Sequence, residues 1–378
     1  MASAPARPHA LFPECTAEEI SRHEFFKDLK DHVVREFKPR IRARYESELA
    51  PRFAAEAGRA PRDADEVAAL VEPDSAYRWY SALARAQHEL YVDATAECVE
   101  RQAQALAEHC SAQRATATGG SLTLDPALPL PEYQREVDIH CVPGSYFAEL
   151  GPDDVYAGAR YELGISLYTL GRHGLLNDSK GRTGVALLRE RFPDLVPRRI
   201  LELGCTCGNS TLPYAEAWPA AEVHALDLSA PALRYAHARA SALGHAVHFR
   251  QANAEHTPYG DGQFDLVVSH ILLHETSRSA LPRIVAECHR LLRPGGLMLH
   301  LEIPRGSTPF QQFMYNWEVW NNNETFAVHM TGLDLAGLAV AAGFEPGKVE
   351  ALDYAQRRSR EQQLYSDEVN WKVLLARR

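Results

Sequence analysis

Ile200-Leu-Glu-Leu-Gly-Cys-Thr-Cys-Gly208 decides the fold. Ile200, Leu201 and Leu203 surround one acidic residue, Glu202, and Gly204 closes the run. A short loop then leads to Gly208 at the mouth of a helical pattern. A buried parallel strand entering a tight turn reads this way, and such a turn lets a ligand approach the backbone at a helix N-terminus.

Working outward, apolar runs recur at strand length: Glu222 to Leu226, Val247 to Arg250, Phe264 to Ser269 and Leu297 to Leu301. Helical patterns lie between them, so a parallel sheet with helices on both faces is expected. Asp227 ends the second strand, Asn253-Ala254 follow the third, and Leu292-Arg-Pro-Gly-Gly296 turns into the fifth. In that order the chain resembles the class I S-adenosylmethionine-dependent methyltransferases, closely from about 180 to 305 and loosely beyond. The resemblance implies an α/β fold with a seven-stranded sheet, mostly parallel, the last strand antiparallel. Strands near Lys348 to Tyr354 and Val369 to Leu375 fit its closing hairpin.

The first 131 residues lie outside the resemblance and read as an all-α region. Thr16 and Glu19 make a capping box. A long helix is expected from Ser75 to Cys110, with Tyr80, Leu83, Leu90, Ala94 and Cys98 on one face. Ala115 to Pro131, with Gly119-Gly120, reads as a linker. The expected division is therefore 1–131, an N-terminal helical domain and linker, and 132–378, the cofactor-binding domain. The helices either pack on themselves or a twin subunit, or form a lid. An aromatic and amide-rich stretch at about 304–330 reads as an insert on the substrate side, and a helix is expected from Thr331 to Ala342.

Bulk properties narrow the partners. The 378-residue chain carries a net charge of −10, whereas a phosphate-binding surface is basic, so no nucleic acid is expected as ligand. No apolar run reaches about 18 residues, so no membrane span is expected. The opening Met1-Ala-Ser-Ala-Pro-Ala-Arg-Pro8 has no charged-then-apolar pattern. Seven scattered cysteines read as free thiols in a reducing cytoplasm.

Cofactor contacts follow from the resemblance together with the chemistry of the positions. Gly204 and Gly208 give backbone room. Glu202 is expected to organise the methionine end, and Asp227 to accept the ribose hydroxyls, with helix capping as its other reading. Cys205, Thr206, Leu228, Ala254, Ser269 and His270 complete the expected contacts. Two positions depart from the family pattern. Thr206 stands at a usual glycine and is accommodated if its φ is negative. Asn253 stands at a usual Asp, still offering a carbonyl oxygen to adenine.

The acceptor side is expected beyond the fourth and fifth strands. His270, His274 and Glu302 are the candidate bases, with His274 and Glu275 also reading as helix caps or solvent-facing residues. His300 reads as packing. Tyr146, Tyr161, Trp317, Asn321 and Asn322 are candidate substrate contacts, each weighed against core packing or a buried insert. His270, His274, Glu275, Glu302 and His329 are the residues from which a metal site would have to be built, and no metal is expected. The expected activity is methyl transfer to O, N or S of a small molecule, in secondary metabolism, with a homodimer through the N-terminal helices. The alternative is a methyltransferase fold that binds the cofactor without transfer, as regulator, scaffold or cyclase.

Overall fold

The computed structural model describes residues 7–303, 306–330, 332–355 and 370–378. Residues 1–6, the first two residues of the expected insert (304 and 305), Thr331 as a helix start and Val369 as a strand start lie outside the described residues.

Eight strands form one sheet: β1 Ser121–Thr123, β2 Arg199–Leu203, β3 Glu222–Asp227, β4 His248–Gln251, β5 Phe264–His270, β6 Leu292–Glu302, β7 Val349–Ala355 and β8 Asn370–Arg377. Their order is β1-β4-β3-β2-β5-β6-β8-β7. The pairs from β1 to β6 are parallel, and β8 runs antiparallel to both β6 and β7. The seven expected strands are therefore present, and β1 joins them at the edge. After β4 the chain crosses back to place β5 on the other side of β2, so a crevice opens at the carboxyl ends of β2 and β5.

The period of two along each strand explains the layers. Ile200, Leu266 and Val268 face one core with Val185, Leu188, Leu212 and Leu233 from helices Ser179–Arg191, Leu212–Ala217 and Ala230–Ala242. Leu201, Val267 and Met298 face the other, with Leu281, Ile284 and Val285 of helix Ala280–Leu291 and Leu335 and Ala339 of helix Leu335–Ala341. Burial on both faces is why these strands read as continuous apolar runs.

The N-terminal region is woven into this body. Leu11, Phe26, Cys98, Val99, Leu106 and Cys110 share a core with Val155, Tyr156, Leu163 and Tyr235. The fully buried Glu162 ties the layers together, accepting from Arg239 Nε at 2.7 Å and Tyr235 Oη at 2.6 Å beside His9 Nε2 at 2.9 Å. Burial raises its pKa, but Arg239 and His9 outweigh that and hold it at about 2. The expected linker contains β1, and Gly120 lies so close to β4 that an added Cβ would meet Val247 O at 2.3 Å.

The long expected helix stops at Glu100, and a second runs Ala103–Ala115. Gln102 interrupts it at φ −121°. Its side-chain amide donates to the Cys98 and Glu14 carbonyls. The insert folds as helix Pro309–Asn321, capped by Thr308 with Gln311. Its Phe310, Phe313 and Trp317 pack among Tyr77, Tyr80 and Val67 of the N-terminal helices. Among the described residues no helix is long and apolar enough to cross a membrane.

Candidate cofactor and acceptor site

A cavity of about 600 Å³ opens where the sheet order switches, lined by Gly204, Asp227 and His270 from the ends of β2, β3 and β5. Its size is that of a small-molecule pocket, about 300–1,000 Å³. Thr206, Leu228, Asn253 and Ala254 line the same end. His274, Glu275, Tyr146, Tyr161, Asn322 and Glu324 also line the cavity.

The loop after β2 is built around Asp227. The Thr206 N–H donates to its Oδ2 at 2.9 Å and the Ser229 N–H to its Oδ1 at 2.9 Å. Burial raises the Asp227 pKa against these bonds. Each carboxylate oxygen keeps a lone pair for a ligand hydroxyl. Thr206 corrects the expectation of a negative φ: it sits at +47°, in the left-handed region. The turn that aims its N–H at Asp227 requires this, and a β-branched residue there carries strain. Gly204, at φ +68°, approaches Leu272 so closely that a Cβ would lie 2.7 Å from its Cδ1.

Other expected cofactor contacts sit behind the cavity wall. Glu202 does not line it: one carboxylate oxygen accepts from Thr211 Oγ1 and the other lies 2.8 Å from His270 Nδ1. Cys205 is in the sheet core, Gly208 packs under Phe249, and Ser269 Oγ pairs with His300 Nδ1 at 2.6 Å. Burial drives the His300 pKa down to about 3, in keeping with a packing role. Asn253 uses Oδ1 to accept the Glu255 N–H at 2.9 Å, which leaves its NH₂ group for a ligand.

His270 lines the cavity with its ring held in place. Both ring nitrogens are engaged, Nδ1 with Glu202 and Nε2 with Tyr214 Oη at 3.1 Å. His274 differs. Its Nδ1 lies 2.7 Å from Glu302 Oε2, and its Nε2 is 3.7 Å from Glu275 Oε1. Burial opposes its charge, but the Glu302 carboxylate outweighs burial and lifts its pKa to about 9. Glu302 lies behind His274 and outside the lining, its Oε1 accepting the Leu273 N–H at 2.7 Å.

Of the expected substrate contacts, Tyr146, Tyr161 and Asn322 reach the cavity and Trp317 and Asn321 do not. Trp317 packs tilted against the Tyr80 ring, centroids 4.4 Å apart, and donates Nε1–H to Ser81 Oγ at 2.9 Å. Asn321 is buried beside Asn322. His329 is exposed, away from the metal set weighed above. Among the described residues the one His/Cys/Asp/Glu group tight enough for an ion is Cys15, Glu19 and Cys98, and Glu19 there is paired with Arg101.

Three cavity residues escaped the sequence reading. His140, at φ +58°, sets Nε2 at 3.2 Å from Glu275 Oε1 and Nδ1 at 3.3 Å from Glu324 Oε1. Glu324 comes from the turn after the insert helix. Lys180, 2% exposed, enters near Glu202 and Cys207 with no hydrogen-bond partner among the described residues, and burial lowers its pKa to about 8. Turn chemistry was legible around Pro143-Gly144, but no spacing pointed to the convergence of these three.

The family model described as a methyltransferase domain matches residues 200–296. An uncharacterised methyltransferase of Synechocystis is 32% identical over 155 residues, 39% of this chain and 66% of that protein. The demethylmenaquinone methyltransferase of Thermus thermophilus is 34% identical over 35% of this chain and 61% of its own length. The chain thus spans just under two thirds of these two relatives. The ubiquinone biosynthesis O-methyltransferase of Ralstonia nicotianae is 28% identical over 48% of this chain and 78% of its own. A solved phosphoethanolamine N-methyltransferase 2 of Haemonchus contortus superposes with a TM-score of 0.44 at 17% identity, over 57% of this chain and 58% of that one. Sheet order, the loop after β2 and the matched domain agree, and the chain carries a class I S-adenosylmethionine-dependent methyltransferase domain.

Proposed function

We propose that the whole chain transfers a methyl group from S-adenosylmethionine to a small molecule whose nucleophile carries a proton, with His274 as its base. The observation that carries this is one cavity lined by both Asp227 and His274. The residues fit the cofactor. Asp227 offers acceptor positions for the ribose diol, the Asn253 NH₂ serves the adenine edge, and Gly204 keeps the backbone clear. Lys180 is a buried cation placed to meet the carboxylate of the amino-acid end. When bound, S-adenosylmethionine supplies an electrophilic methyl group on a sulfonium.

The chain's own work is then alignment and proton handling. Tyr146, Tyr161 and Asn322 confine the acceptor. Glu302 holds the His274 ring by Nδ1 and so turns Nε2 toward Glu275 and the cavity. Neutral His274 takes the acceptor proton on Nε2, and the resulting imidazolium is stabilised by Glu302. Glu302 is a positioning residue in this scheme. Secondary metabolism, a cytoplasmic setting and a homodimer through the N-terminal helices belong to the same proposal. Phe25 and Trp79, 61% and 64% exposed on those helices, support the dimer.

Incubation with methyl-labelled S-adenosylmethionine and a metabolite extract tests the reading. Label appearing in a small product, reduced roughly 10²–10⁴-fold by His274→Ala, supports it. Cofactor binding with no label transferred favours the regulatory or cyclase alternative.

A further inference from the structure

Around the acceptor end, three carboxylates converge with two imidazoles. Glu302 is matched to His274 by the 2.7 Å contact. Glu275 and Glu324 share the single ring of His140, at 3.2 and 3.3 Å. With all three carboxylates ionised, even two protonated imidazoles leave one negative charge uncompensated. Among the described residues no arginine or lysine acts on Glu275 or Glu324: Arg160 Nη2 donates to Val92 O at 3.0 Å, and Lys180 has Cys207 and Glu202 as its charged neighbours. His88, whose Nε2 contacts His140 O at 2.9 Å, is held neutral by burial, with a pKa of about 4.

Glu275 shows where the missing partner belongs. Its Oε1 accepts from Tyr146 Oη at 3.2 Å and faces His140. Its Oε2 is buried and has no hydrogen-bond partner. A desolvated carboxylate oxygen left unpaired costs free energy that a ligand donor removes. The surrounding wall is tyrosine. Tyr146 and Tyr161 meet edge to face with centroids 6.1 Å apart, and Tyr168 lines the cavity beside Glu324 and Asn322. Such faces attract cations. The fold already uses Tyr168 in this way, with Lys30 Nζ 3.1 Å from its ring centroid.

Resting on the methyl-transfer reading above, we infer that Glu275, Glu324 and the rings of Tyr146 and Tyr161 form a subsite for a protonated amino group, so that the acceptor molecule is a small ring-bearing amine. One ammonium N–H satisfies Glu275 Oε2, and a second faces Glu324. The ammonium supplies positive charge that the cluster lacks, and this need is greater still when His274 is neutral and acts as the base. Burial raises the Glu324 pKa in the unliganded cluster, and a bound cation lowers it again. A carboxylate-bearing acceptor would add a fourth negative charge and is rejected.

The test uses matched probes on the full chain saturated with S-adenosylhomocysteine. Tyramine, tyrosol and 3-(4-hydroxyphenyl)propionate share a phenol and differ in tail charge. Benzylamine, benzyl alcohol and benzoate repeat the comparison without the phenol. By titration calorimetry, at least one amine is expected to bind ten-fold or more tighter than its alcohol, with its acid weakest. Glu275→Gln removes that preference, and Glu324→Gln gives a second reading should the first variant fold poorly. Amines binding no better than their alcohols, or neither amine binding, overturns the subsite. Titration of S-adenosylhomocysteine alone separates the two claims. Its failure sinks the methyltransferase reading, whereas its success without an amine preference sinks only this one.

Discussion

Glu302→Gln isolates the pair on which the proton handling depends. Gln is nearly isosteric and keeps an oxygen for the Leu273 N–H, but it removes the anion facing His274. In the folded protein the His274 pKa stands at about 9, against 6.5 for the free side chain. The shift of about 2.5 units corresponds to roughly 3 kcal/mol at about 1.4 kcal/mol per unit. A raised folded pKa stabilises fully below pH 6.5, and that stabilisation is lost as pH climbs through 9. Glu275 and Glu324 also raise this pKa and stay in place, so the variant loses the Glu302 share alone, on the order of a few kcal/mol for removing one partner of a buried pair. Urea unfolding of both proteins at pH 6.5, 7.5 and 9 measures it. The stability gap is expected to be largest at pH 6.5 and to shrink steadily toward pH 9. Turnover gives the matching readout. Because the neutral imidazole is the base, wild-type kcat/KM rises toward pH 9, and the variant's rising limb moves to lower pH. A gap of constant size across this range, with an unmoved pH profile, refutes the coupling.

Further outcomes follow from the same contacts. Asp227→Ala removes the diol acceptor and the partner of the Thr206 and Ser229 N–H groups, at roughly 1–3 kcal/mol or about 5- to 150-fold in S-adenosylmethionine affinity by calorimetry. Thr206→Gly relieves about 1–2 kcal/mol of left-handed strain against about 0.5–1 kcal/mol of added chain freedom, so thermal melting should be unchanged or higher, and a clear loss contradicts the strain. Deleting residues 1–131 strips Phe26, Cys98 and Leu106 from the core shared with Leu163 and Tyr235. The remaining chain should aggregate or bind a hydrophobic dye, and a well-folded monomer would show the region to be dispensable.

The sheet was legible because its signals are local. Apolar runs, Gly204 and Asp227 each mark a strand end by chemistry confined to a few neighbours, and the strand order follows from the connections. The N-terminal region was harder to read. Gln102 breaks the long N-terminal helix through side-chain bonds to Glu14, 88 residues away. Gly119-Gly120 looked like a flexible linker because glycine also serves close backbone approach, which is its use beside Val247. The site divides the same way. His270 stands at a strand exit as expected, but Glu202 and Tyr214, from two other elements, consume both its nitrogens. The aromatic run around Trp317 was open to a wall or a buried insert, and it is divided between them: Trp317 packs on Tyr80, while Tyr315, Val319 and Asn322 line the cavity. His140, Lys180 and Glu324 meet only through tertiary folding, and a single sequence carries no pattern for that.

The central claim is that one cavity seats the cofactor at Asp227 and presents its sulfur to the His274 and Glu275 end. A crystal structure of the complex with S-adenosylhomocysteine measures this directly. The account predicts the ribose diol within hydrogen-bonding distance of Asp227, the amino-acid carboxylate near Lys180, and the sulfur facing Tyr146, His274 and Glu275. A nucleoside bound elsewhere, or a sulfur turned away from His274, contradicts it.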